Sequence, residues 1–209
     1  MPQEPRRAPQ SVVAGALAAV RAAPSVRTVI LVEGVSDQAA VETVAFRCGR
    51  DLAGEGVAVL PMGGATNIGH FLDALGPRGL DLRLAGLYDA AAERDIRRGL
   101  ERAGHGPLTA RDSLQQRGFF GCVADLEDEL IRALGTASVE EVVGAQGDLP
   151  SLRRFQRQPA QRERSPEAQL RRFMGTRSGR KARYARLLAE AVDVTRAPRP
   201  LSQVLAFVS

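Results

Sequence analysis

The chain has 209 residues, 44% of them hydrophobic, with a formal net charge of +5. That is enough to bury one real core, or one core with a smaller appendage. It contains no apolar run of about 18 residues, so no membrane span is expected, and the start "MPQEPRRAPQ" lacks a secretory core. The charge is segregated. Residues 1–150 carry 15 Arg against 20 acids, a balance of −5, whereas residues 151–200 carry 13 Arg and one Lys against 4 acids, a balance of +10. No apolar face accompanies the arginines, so a membrane surface is not the expected partner. A polyanion such as nucleic acid is, with the carboxylates left for cations.

In chain order, residues 11–23 read as a helix with Val12, Val13, Leu17 and Val20 on one face. "RTVILVE" (27–33) is a strand buried on both sides, because its apolar residues run continuously rather than alternating. A helix follows from about Ser36 to Arg50, with Ser36 or Asp37 as its cap. "GVAVLPMGG" (56–64) is a second strand, followed by a helix from Asn67 to Leu75. "LRLAGLYD" (82–89) is a third, followed by a charged helix over 91–103. "GFFGCVA" (118–124) is a fourth, and "DLEDELIRAL" (125–134) is a helix. Strands alternating with helices, without hairpin dipeptides between them, predict βαβ units and a mainly parallel four-stranded sheet in an α/β fold. Beyond residue 135 only helices are expected, around 138–146, 149–157, 165–174 and 179–193, with 154–169 read as a polar, mobile loop. Cys48 and Cys122 have no CxxC or His partners and read as buried free thiols of a reducing cytoplasm. His70 and His105 occur singly and read as surface or cap residues.

Functional residues of an open parallel sheet collect beyond the carboxyl ends of its strands. Strand one leads to Glu33 and then Asp37. Strand three leads to Asp89, with Glu93 and Asp95 beyond, and strand four to Asp125, Glu127, Asp128 and Glu129. Acids crowded on one edge repel one another, and a hard divalent cation removes that conflict. For Asp37, Asp125 and Asp128 a helix N-terminal role is the competing reading. Glu33 ends a buried strand, so that reading fits it less well.

"LVEGVSD", followed by an Asp at the tip of a strand about 50 residues later, resembles the Toprim domain of topoisomerases, bacterial primases and several nucleases. "VLPMGGATNIGHFLDAL", "DLEDEL" and the late "SGRKARYARLLAE" narrow this to the Toprim half of the overcoming-lysogenisation-defect (OLD) nucleases. The resemblance implies residues 1–25 as tail and helix, 26–135 as the Toprim domain, and 136–209 as a basic helical region completing the site. It implies Glu33 as a metal ligand or general acid–base group, with Asp37, Asp89 and Glu127 as further ligands. Lys181 would stabilise charge on the phosphate. Lys181 is also the only lysine in the chain, which points to a site that needs a compact ammonium rather than a planar guanidinium.

The implied cofactor is Mg²⁺, with Mn²⁺ as an alternative. "MGGATN" is neither a GxGxxG nor a Walker loop, so no nucleotide cofactor is expected. Arg171, Arg172, Arg180, Lys181 and Arg183 would contact the nucleic-acid backbone. The Toprim Asp-x-Asp would put a second acid at position 91, where "YDAAAE" has Ala91; Glu93 is the candidate substitute. OLD nucleases carry an ATPase module that about 25 residues before strand one cannot encode, so an ATPase partner chain or a stand-alone protein is expected, and a homodimer is compatible with either. Two functions follow. One is a metal-dependent nuclease hydrolysing phosphodiester bonds of DNA; the other is a non-catalytic Toprim-derived nucleic-acid-binding or partner module. Topoisomerase activity is disfavoured, because Tyr88 falls inside a strand and Tyr184 in a basic helix.

Overall fold

The computed structural model describes residues 9–108, 111–177 and 179–209. The predicted tail, residues 1–8, and Ser178 of the late basic motif lie outside the described residues. Among the described residues four strands form one sheet: β1 (Thr28–Val32), β2 (Val57–Pro61), β3 (Arg83–Tyr88) and β4 (Phe119–Gly121). Their order is β2-β1-β3-β4, and every pairing is parallel. Among the described residues twelve α-helices flank it: α1 (Pro9–Ala22), α2 (Val35–Arg47), α3 (Ile68–Leu75), α4 (Glu93–Leu100), α5 (Arg111–Gln116) and α6 (Leu126–Leu134) within the strand region. Then follow α7 (Thr136–Ala145), α8 (Leu149–Gln156), α9 (Pro159–Arg162), α10 (Pro166–Met174), α11 (Arg180–Ala191) and α12 (Arg199–Phe207). No described helix is long and apolar enough to cross a membrane.

Strand β1 is buried at all five positions because both faces of the sheet are covered. Ile30 and Val32 join a core with α2, α6, α10, α11 and α12, including Val41, Leu130 and Leu188. Val29 and Leu31, on the opposite face, join a second core with α1, α3 and α4, including Phe71 and Ile96. The α-helical region after residue 135 therefore has no separate core; Leu188 and Val204 belong to the one beneath α2. Gly86 in β3 is required by this packing, since a Cβ there would lie 2.8 Å from the Phe119 ring and 3.0 Å from the Leu31 carbonyl oxygen. Edge strand β2 is protected from further pairing. Val57 N–H donates to Leu52 O, the Gln38 amide donates to Val59 O, and Pro61 has no N–H to offer.

Several expectations change. The α2 helix starts at Val35, with Gly34 rather than Ser36 or Asp37 at the cap. The charged stretch after Asp89 is broken into a 3₁₀ turn (Ala90–Ala92), α4 and a π-turn (Glu101–His105). Cys48 ends α2 at the surface and is exposed, whereas Cys122 is buried. Residues 154–169 do not form a loop throughout. They contain α9, whose Gln161 is buried, and Ser165 accepts a bond from Ala168 N at the start of α10. Helices α5 and α12 were not anticipated.

Candidate active site

The strand order reverses between β1 and β3. From β1 the chain proceeds through α2 to β2 on one side, and from β3 through α4 to β4 on the other. Such a switch point opens a crevice at the carboxyl ends of the two strands. Glu33 and Asp89 lie at its two sides, and Glu33 Oε1 accepts a 2.9 Å hydrogen bond from Asp89 N.

Asp37, in the first turn of α2, is nearly buried, and its Oδ2 accepts from Gly34 N at 2.9 Å. Burial raises its pKa, against the opposing effects of Lys181 and the Gly34 bond; Glu33 and Asp125 raise it further. Asp89 is pushed up to about 8, first by desolvation and then by Glu33, Asp37 and Asp125, with Lys181 opposing. These couplings place the predicted acids in one electrostatic neighbourhood.

Helix α6 sorts its own acids. Asp125 is the N-cap: Oδ1 accepts from Asp128 N at 2.9 Å and Oδ2 from Arg171 Nε at 2.6 Å. Asp128 pairs with Arg132 at 2.9 Å. Glu129 accepts from Val123 N at 2.7 Å and also pairs with Arg132. Glu127 is different. It is 2% exposed, and neither carboxylate oxygen has a hydrogen-bond partner. Lys181 Nζ lies 3.1 Å from Oε2, close enough to pair but not aligned as a donor. Burial raises the Glu127 pKa against the effect of Lys181. Desolvation pulls the Lys181 ammonium down, yet Glu127, Asp37 and Asp125 outweigh it and raise its pKa.

Among the described residues, no three His, Cys, Asp or Glu side chains already converge tightly enough to hold an ion. The donor chemistry nevertheless fits a hard cation. The donors are carboxylate oxygens, those of Glu127 are buried without hydrogen bonds, and Asp89 is pushed up by desolvation and by the neighbouring carboxylates. Mg²⁺ usually takes one or two carboxylates and keeps several waters, so a loose, pairwise set of acids meets its needs.

Residues 26–90 match the family model "Overcoming lysogenization defect protein-like, TOPRIM domain". The C-terminal region of the Xanthomonas campestris pv. campestris OLD protein superposes with a TM-score of 0.69 at 26% identity, over 88% of this chain and 94% of that one. The C-terminal region of the Burkholderia pseudomallei OLD protein shares the fold, with a TM-score of 0.65 at 21% identity over 88% and 96%. The chain resembles the Toprim half of the OLD proteins. No curated protein matches it by sequence. The Toprim model reaches Glu33, Asp37 and Asp89; Glu127 and Lys181 lie beyond it, on α6 and α11.

Against the Toprim pattern, Ala91 is exposed in the 3₁₀ turn after Asp89. Glu93, the candidate substitute, pairs with Arg97 one turn on. Among the predicted phosphate contacts, Arg180 is corrected. Its guanidinium is buried, pairs with Asp148 at 3.2 Å, donates to Thr176 at 3.0 Å and stacks on the Phe173 ring. Arg183 donates to Gln146 and lies over Tyr184. Arg172 is exposed.

Asp125 and Arg171 together form a structural clamp that the sequence reading did not assign. It ties α10 to the end of α6 that carries Glu127. Arg171→Ala is expected to lower stability by about 1 kcal/mol, discounted because the arginine is partly exposed, with Arg171→Lys recovering part of the loss. Urea midpoints of the two variants and wild type check this.

Proposed function

We propose that the chain is a metal-dependent nuclease that hydrolyses phosphodiester bonds of DNA. The reading rests on the hydrogen bond between Glu33 and Asp89 at the switch-point edge, supported by the coupling of Asp89 to Asp37 and by Lys181 3.1 Å from Glu127. These four acids would hold Mg²⁺ or Mn²⁺, which, when bound, lowers the pKa of a water and offsets charge on a phosphate. Glu33, fixed through Oε1 by Asp89 N, would serve as a ligand of that ion or as the general acid–base group. Lys181, with its side chain 49% exposed, keeps its ammonium accessible to a phosphate oxygen while offsetting Glu127. The likeness to the Toprim half of OLD proteins supports a nuclease-type role, and an ATPase supplied by another chain, or a homodimer, fits the same reading.

Exposed Ala91, with Glu93 engaged by Arg97, favours a second reading: a Toprim-derived module that binds nucleic acid without cutting it. Incubating supercoiled and linear DNA with Mg²⁺ or Mn²⁺ separates the two. Cleavage by wild type that falls by at least about 100-fold in Glu33→Ala supports the nuclease. Unchanged binding without cleavage in either protein supports the module.

A further inference from the structure

Helix α3 and the end of α4 enclose a polar cleft of about 340 Å³. Thr66, Gly69, His70 and Asp73 line one side and Arg102 the other, with Arg78 bridging them. The helices meet closely because position 99 is glycine; a Cβ there would stand 2.7 Å from Ile68 Cγ2. Gly69 leaves room for the Arg102 guanidinium, whose Nη2 lies 3.8 Å from where a Cβ would be.

The charges in this cleft are unequal. Arg78 Nη2 donates to Asp73 Oδ1 at 2.6 Å and to the Arg102 carbonyl at 3.3 Å, so the single carboxylate is already matched. Arg102 is held by backbone instead: its Nε donates to Arg98 O at 3.2 Å, which leaves both Nη groups for a ligand. The adjoining groove shares Arg102 with Arg98, Asp95 and Glu101, but Glu101 accepts from Leu108 N at 3.0 Å. Two guanidiniums against one carboxylate leave the cleft one positive charge in excess, beside a hydroxyl and an imidazole. That donor set suits the oxygens of a phosphate.

The cleft is continuous with the carboxylate edge. Gly64 N donates to Glu33 O at 3.0 Å, and the buried Asn67 amide fixes the turn by donating to Met62 O at 2.8 Å. Thr66 sits in that turn (Ala65–Asn67), its Cα no more than about 7 Å from that of Gly64. A nucleic-acid strand advances about 3.4 Å per nucleotide. One strand crossing the carboxylates therefore reaches the cleft within a few nucleotides, and its phosphates carry the charge that the cleft lacks.

We propose that the cleft between α3 and α4 is a phosphate subsite for the nucleic-acid backbone, with Arg102 as its cation and Arg78, His70 and Thr66 as further donors. The path across the carboxylates rests on the nuclease reading; binding in the cleft does not. The probe is a fluorescein-labelled DNA oligonucleotide, with anisotropy read in Ca²⁺ over a series of NaCl concentrations and cleavage read on gels in Mg²⁺. Arg102→Ala should weaken binding by about tenfold and reduce the slope of log K against log salt by about one. Gly69→Glu should do the same by setting a carboxylate against Arg102, whereas Gly69→Ala should bind like wild type, since its Cβ makes only ordinary contact. Arg21→Ala removes the same charge just before β1, at the opposite end of the sheet, and should leave affinity within about twofold of wild type. Thermal melts matching wild type exclude misfolding as the cause. Arg102→Ala and Gly69→Glu proteins that bind DNA like wild type, or an Arg21→Ala protein that loses as much affinity as they do, overturn the subsite even if DNA is cut. Inorganic phosphate, titrated against the His70 ring resonances, distinguishes a free ion. If it binds while both variants keep wild-type DNA affinity, the cleft takes phosphate but not nucleic acid, and the proposal fails. DNA affinity lost in the two cleft variants supports the subsite even if no DNA is cut, in which case only the nuclease reading fails.

Discussion

Lys181→Ala is expected to reduce metal-dependent cleavage by about 100-fold or more and to destabilise the chain increasingly as pH rises. The cause is Glu127. Its carboxylate is buried, has no hydrogen bond, and is offset chiefly by the Lys181 ammonium at 3.1 Å. Removing that charge raises the already elevated Glu127 pKa. The unfolded chain releases this proton near 4.5, so both proteins lose stability as pH rises above that value, and the loss runs to higher pH in the variant, whose folded Glu127 holds its proton longer. A buried charge stripped of its partner costs about 3–5 kcal/mol. Lys181 is half-exposed, however, and solvent screening reduces the expected loss to about 1–2 kcal/mol. Adding Glu127→Gln to Lys181→Ala should recover the stability but not the cleavage, which separates the two roles. Lys181→Arg should restore only part of the activity, because a planar fork does not replace a compact ammonium. Urea midpoints between pH 5 and pH 9 and single-turnover cleavage rates check the set. A Lys181→Ala protein as active and as stable as wild type would mean that this lysine is a surface residue.

Asp89→Asn should have the opposite effect on stability while also abolishing cleavage. In the absence of a cation, folded Asp89 holds its proton to about pH 8, whereas the unfolded chain releases it near 3.8. Folding therefore takes up a proton between those values, and stability falls as pH rises through the window before levelling above 8. Desolvation is the main cause, followed by Glu33, Asp37 and Asp125. After screening, the penalty is on the order of 2 kcal/mol. In EDTA, Asp89→Asn should be more stable than wild type at pH 9 and no different at pH 3.5. Saturating Mg²⁺ should remove the wild-type pH slope and add about 2.7 kcal/mol at a hundredfold excess over Kd, with little effect on the variant. A wild-type slope that Asp89→Asn leaves untouched would assign the titration to another acid of the edge.

The parts of this account legible in the sequence are those fixed by local pattern. The continuous, β-branched run "TVILV" reads as a strand covered on both faces, and alternating residues do enter the two cores. An acid at the end of such a strand was informative for the same reason, and Glu33, Asp37 and Asp89 do share one edge. What escaped depends on partners distant in sequence. In "DLEDEL" the resemblance singles out Glu127 and the helix start offers a cap role for Asp125, but no local pattern shows that α10 clamps Asp125 through Arg171 or that Glu127 is buried without hydrogen bonds. The spacing of Asp125 and Asp128 did carry the cap signal. Arg180 and Lys181 are adjacent and both basic, yet successive helical residues face different ways. One is buried on Asp148 and Phe173, and the other reaches Glu127. The polar segment 154–169 appeared mobile because nothing in its composition shows that Gln161 will be buried.

Mn²⁺ binding followed by electron paramagnetic resonance tests the central claim most directly, for wild type beside Glu33→Ala and Asp89→Asn at pH 7.5. Cation uptake by wild type, weakened at least about tenfold in both variants, is the predicted result and identifies the switch-point carboxylates as the metal site. No uptake by wild type, or uptake that both variants retain, would contradict it.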